Sequence, residues 1–130
     1  MFAEVYYQPI EEGDRLANKI PVLRLNELLM ENAKLVNAPR ISPPREKTGS
    51  SDFSNVMYQL PGSCIRVAMV PVGTSSHSQA FLNAGKGNEA HEAVVTAAKV
   101  LAGTAADLIM NPAELTEIQK EFSSNQETCV

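Results

Sequence analysis

His77 is the residue whose type and setting best suit chemistry. It stands among Ser75, Ser76 and Ser78 in a small polar loop, TSSHSQ, directly after an almost wholly apolar run. A neutral imidazole nitrogen in such a loop has the room and polarity to meet a metal ion or a substrate group. An ordinary surface histidine fits the same description. A second cluster, Gly49, Ser50, Ser51 and Asp52, combines a glycine that lets the backbone approach a ligand with short hydrogen-bonding side chains. Those four residues equally suit the end of a solvated connection. His91, in the first turns of an alanine-rich helix, reads as structural or exposed. Cys64 reads as a small buried hydrophobe rather than a nucleophile. A catalytic zinc takes about three protein ligands. Asp52, His91, Cys64 and the scattered glutamates show no ligand spacing that would complete such a set around His77.

The elements that would position these residues alternate between strand-like and helical sequence. Residues 4–9, EVYYQP, are β-branched and aromatic enough for a short strand. Over 21–37, Leu25, Leu28, Leu29, Asn32, Leu35 and Val36 recur at helical spacing, with Pro21 in the first turn and Asn37 as a left-handed terminator. Residues 38–51 carry three prolines and a glycine and read as a loop. Two strands are expected at 56–60 and 65–72, joined by the turn signal Pro61-Gly62-Ser63. The second is apolar enough to be buried on both faces of a sheet, and a loop after such a strand is where an α/β sheet keeps its chemistry.

From Asn88, the expected N-cap, the stripe Val94, Val95, Ala98, Leu101, Ala102, Ala105, Leu108 and Ile109 predicts a helix packed on that sheet. Asn111-Pro112-Ala113-Glu114 starts another, with Asn111 capping, Pro112 at the first position and Glu114 able to reach back to the cap. It should end near Phe122, leaving 123–130 as a polar tail.

Composition bounds the function. One core fits 130 residues, and 44% hydrophobic with 20% charged residues is ordinary for a folded domain. A net charge of -4 gives no electrostatic footprint for nucleic acid or an acidic membrane surface. No apolar run is long enough to span a bilayer, the two cysteines do not look like a disulfide framework, and the N-terminus lacks a basic start with a long apolar core. A cytoplasmic setting is the expectation. There is no Gly-rich phosphate loop, CxxC pair, HExxH or Gly-x-Ser-x-Gly elbow.

The segments GSSDFSNVMYQLPG, VGTSSHSQAF and GNEAHEAVVTAAKVLAGTAADLIMNP, in this order, resemble the C-terminal part of the zinc-dependent amidohydrolases of the aminoacylase and carboxypeptidase-like metallopeptidase family, in its aminobenzoyl-glutamate hydrolase-like branch. The resemblance runs over about 6–122. It implies an α/β fold, the C-terminal half of a mixed-sheet catalytic domain with helices packed on the sheet. Residues 1–13 would end a lid or dimerisation domain, 14–122 would form the half domain, and 123–130 the tail.

It further implies that His77 is a metal ligand, and that Gly49, Ser50, Ser51 and Asp52 line the substrate cleft. Zinc, as one or two ions, would be the cofactor, with manganese or cobalt as substitutes. The substrate would be an N-acyl-amino-acid or dipeptide-like amide. The other ligands and the general base would come from a missing N-terminal half, so that the chain alone would be inactive, and a homo-oligomer is expected. A non-catalytic binding or interaction module derived from this family is the alternative.

Overall fold

A computed structural model of the chain describes residues 17–42 and 51–129. The first regular element is α1, Leu23–Leu35, and it has no side-chain cap of its own. Its start is instead satisfied from the far end of the chain. The Glu121 carboxylate accepts from Leu23 N at 2.7 Å and from Arg24 N at 3.0 Å, placing negative charge where the first helical N–H groups lack partners. The helix stops as its sequence dictates. Asn37 takes φ 54°, and Ala38 N then reaches back to Ala33 O at 2.9 Å, the closing bond of a left-handed C-terminal motif.

The remaining elements are α2, Phe53–Met57; α3, Gln79–Ala84; α4, Asn88–Met110; and α5, Pro112–Cys129. Packing is mainly of α1 on α4, with α5 against both. Ile20 and Val22 meet Ile118 and Phe122 in one buried cluster, while Leu29, Ala33 and Val100 form a second. At the α1–α4 crossing Asn32, which is buried, donates to Asp107 Oδ2 at 2.7 Å and to Leu28 O at 3.2 Å. Gly103 makes room for it, because a Cβ there would collide with the Asn32 amide. Beyond the crossing, Arg24 forks onto Glu114, Nε to Oε1 at 2.5 Å and Nη2 to Oε2 at 2.6 Å.

The expected α/β architecture is overturned: among the described residues there is no strand and no sheet. Val56 and Met57 belong to α2, and residues 58–60 form a turn after it. Residues 61–69 have neither helix nor ladder. Their apolar, β-branched sequence suits a strand, but a strand needs neighbours to satisfy its N–H and C=O groups, and no described segment supplies them. Pro61-Gly62 does not turn a hairpin either. Gly62 lies buried over α2, where a Cβ would meet Met57 Cγ at 2.9 Å.

Three further expectations change in detail. The residue capping α4 is Gly87 rather than Asn88. The α5 helix runs on past Phe122 to Cys129. Ser123 Oγ donates to Gln119 O at 3.0 Å, Asn125 Nδ2 to Pro21 O at 2.8 Å and Gln126 Nε2 to Tyr58 O at 2.7 Å, so the polar end is anchored. Lastly, α4 is long and apolar enough to cross a membrane by length and composition, where no run of that length was expected. The strand expected at 4–9 lies outside the described residues.

Candidate functional site

The loop that carries His77 is built in two turns. Gly73, at φ +91°, occupies the third position of a turn closed by Thr74 N to Pro71 O at 3.2 Å, a conformation that glycine adopts without strain. Ser78 then starts α3: its hydroxyl accepts from Phe81 N at 3.2 Å and donates to Ser75 O at 2.7 Å. His77 lies between these two turns, with its backbone N–H directed to Ser75 Oγ at 3.4 Å and its side chain exposed. Ser75 and Ser78 thus spend their hydroxyls on the backbone. They shape the loop that presents the imidazole.

Ser51 and Asp52 are likewise committed to local structure. Asp52 is the N-cap of α2 and accepts from Phe53 N at 3.0 Å. The Ser51 hydroxyl donates to Asp52 Oδ1 at 3.3 Å and accepts from Phe53 N at 3.3 Å. Gly49 and Ser50 lie outside the described residues. No hydrogen bond joins His77 to Ser51 or Asp52 among the described residues, so each turn satisfies itself.

A catalytic metal needs several converging donors. Among the described residues no group of three His, Cys, Asp or Glu side chains gathers closely enough to hold an ion, so the donors among them do not fit such a centre. His91 is exposed on α4. Cys64 is exposed too, contrary to its expected burial; it is the neighbouring Ile65 that packs against the Leu29, Ala33 and Val100 cluster.

A concavity lies elsewhere. A groove of about 500 Å³ runs between α1 and the α4–α5 turn, lined by Arg24, Glu27, Leu28, Glu31, Asn32, Leu35, Asp107, Met110, Asn111 and Glu114. Hydrogen bonding to Arg24 lowers the Glu114 pKa below the ordinary carboxylate range, and the same bond raises that of Arg24. Sequence reasoning assigned Glu114 to its own helix cap. Only the Asn111 half of that cap forms, with Glu114 N to Asn111 Oδ1 at 3.4 Å. Spacing along the chain could not signal the groove, since its acids come from helices some eighty residues apart.

Over 110 residues the chain is 33% identical to the Xaa-Arg dipeptidase of Mus musculus, a match covering 81% of this chain and 25% of that protein. It is 27% identical over 110 residues to one of the subunits of the p-aminobenzoyl-glutamate hydrolase of Escherichia coli (strain K12), covering 85% of this chain and 22% of that protein. The chain is peptidase- and amidohydrolase-like in sequence. It spans about a quarter of the length of the curated relatives it matches. No protein-family model and no solved structure matches it.

Proposed function

We propose that the chain serves in hydrolysis of an amide bond with an amino acid on one side, in a dipeptide-like or N-acyl-amino-acid substrate. The observation that carries this reading is the 110-residue similarity to two hydrolases. The names of both describe amides of an amino acid, an arginine dipeptide in one and an acylated glutamate in the other. The geometry adds an exposed imidazole, His77, presented by a loop held at both ends.

In this proposal His77 is one ligand to a divalent ion, zinc or in its place manganese or cobalt. The turn Gly49, Ser50, Ser51 and Asp52 faces the substrate. One imidazole does not make a catalytic metal centre, so further ligands and a general base come from polypeptide beyond these 130 residues, and no bond-breaking step is assigned to the chain alone. The finer branch, aminobenzoyl-glutamate hydrolase-like, is part of the same proposal.

Calorimetric zinc titration of the chain and of His77→Ala, beside hydrolysis assays on p-aminobenzoyl-glutamate and an Xaa-Arg dipeptide, tests this reading. The expected result is weak zinc binding that the substitution removes, and negligible turnover. Zinc binding that is equal in the two proteins, or turnover indifferent to the substitution, would overturn it. A second reading, a non-catalytic interaction module, is favoured by one observation: among the described residues, much of the apolar surface of α4 is exposed.

A further inference from the structure

Residues 58–78, between α2 and α3, make the longest stretch among the described residues that belongs to no helix. Its first half is held in place. Gly62 is buried, and Ile65 packs against the Leu29, Ala33 and Val100 cluster. Its second half stands away from the fold. Val72 is 80% exposed, Pro71, Gly73, Ser75, Ser76 and His77 are exposed with it, and a Cβ built on Gly73 would meet no atom within 4 Å. The turn at Val72 and Gly73 is closed by one backbone bond, Thr74 N to Pro71 O at 3.2 Å.

We infer that the Val72–Gly73 peptide bond is a processing site for an endopeptidase whose pocket takes a small aliphatic side chain, as an elastase-like pocket does, and that the cut chain stays assembled as a two-piece protein. The step is hydrolysis. Water adds across the bond between the Val72 carbonyl carbon and the Gly73 nitrogen, leaving a carboxylate on Val72 and a new amino terminus at Gly73, and the endopeptidase supplies the catalysis.

The cost of freeing the backbone singles out this bond. A protease acts on locally opened chain, so cutting follows the population of the open form. The other exposed valines among the described residues, Val56, Val94 and Val95, lie inside α2 and α4, and the exposed alanines after residue 78 lie inside α3, α4 and α5. Those bonds become available only when a helix unravels. Arg66 and Ala68 are exposed outside any helix, but each stands between half-buried neighbours, and Ile65 beside Arg66 belongs to a core contact. At Val72 the turn bond is what has to open. Gly73, Thr74, Ser75 and Ser76 then supply the small and polar residues of an exposed loop tip, where nicking concentrates.

The cut leaves α1 and α2 on one piece and α3, α4 and α5 on the other. These pieces are already packed together, because α1 lies on α4 and α5. Ile20 and Val22 meet Ile118 and Phe122, and Leu29 and Ala33 meet Val100. Arg24 forks onto Glu114, Glu121 completes the start of α1, and Gln126 holds Tyr58 O near the end of the first piece. Each of these contacts joins one piece to the other without passing through the loop. His77 and the bond from Ser78 Oγ to Ser75 O stay together on the second piece.

Brief digestion of the full chain with pancreatic elastase, read by mass spectrometry, tests the site. Among the bonds within residues 51–129, Val72–Gly73 is expected to be cut first, giving a piece that begins at Gly73. Val72→Asp, at a side chain that is mostly exposed, is expected to slow that cut roughly 100-fold, because the apolar pocket must then take a carboxylate. Size-exclusion chromatography and circular dichroism test the assembly. The cut chain should elute with the intact one at unchanged helix content and come apart only in denaturant. First cuts inside α4 or α5, equal cutting of Val72→Asp at this bond, a chain that stays whole while its urea-unfolded form is cut, or pieces that part in native buffer would each overturn the inference.

Discussion

The crossing of α1 and α4 and the stretch from Pro61 to Ser78 are the two extremes of this molecule. At the crossing, apolar side chains interlock and the one buried amide, Asn32, has its N–H groups spoken for by Leu28 and Asp107. Along residues 61–69, half-buried Ile65, Val67 and Met69 alternate with exposed Cys64, Arg66 and Ala68, while the backbone takes part in no helix or ladder. Both segments are rich in apolar residues. They differ in whether the backbone can satisfy itself: a helix closes its own hydrogen bonds, and an extended run depends on a neighbour. Composition alone does not make order.

The largest effect should come from the part that is closed. Ile118→Ala, at a side chain only 1% exposed, should cost about 3 kcal/mol in chemical denaturation; a cost below about 1 kcal/mol would mean that α5 is not integral to the core. Gly103→Val should follow, at about 2 kcal/mol, because the new side chain displaces the Asn32 amide from the crossing. Hydrogen exchange then probes the contrast without mutation. Amides of residues 64–70 should exchange near their intrinsic rates while those in the middle of α4 are protected, and comparable protection in both would erase the distinction.

The smallest effect belongs to the exposed rim. Hydrogen bonding to Arg24 lowers the folded-state pKa of Glu114, so its contribution is present above the ordinary carboxylate range and is lost as pH falls through the lowered value. Glu114→Gln should flatten that part of the acid limb in pH-dependent melting. An unchanged acid limb would show that solvent already screens the pair.

Much of the helical frame was legible in sequence because its signals are local. Asn37 ends α1, Pro112 opens α5 and the alanine-rich run makes α4, each through a property of the residue and its immediate neighbours. The misreadings share one cause, a dependence on partners that sequence does not display. The run 65–72 has the composition of a buried strand, but pairing is a property of two segments. In α4 the period of the stripe was correct, yet Val95, Leu101 and Ile109 are exposed and Ala90, Val100 and Thr104 are buried. Periodicity finds a helix without telling which of two apolar faces turns inward. The His77 loop was legible as a loop, and the Asp52 turn as a turn. That Ser78 and Asp52 are helix caps becomes evident only when the two short helices they begin are seen.

The meeting of Ile20 and Val22 with Ile118 and Phe122 also bears on when this protein can become itself. About a hundred residues separate the two sides of that cluster, and the carboxylate that finishes the start of α1 belongs to Glu121. During synthesis α1 emerges ahead of α5, with its first turn unfinished. It waits for about a hundred further residues before the helix that completes it is made. A mostly helical chain wired in this way should fold more slowly than helix content alone would suggest, since the entropy of closing so long a loop is lost before the contact returns anything.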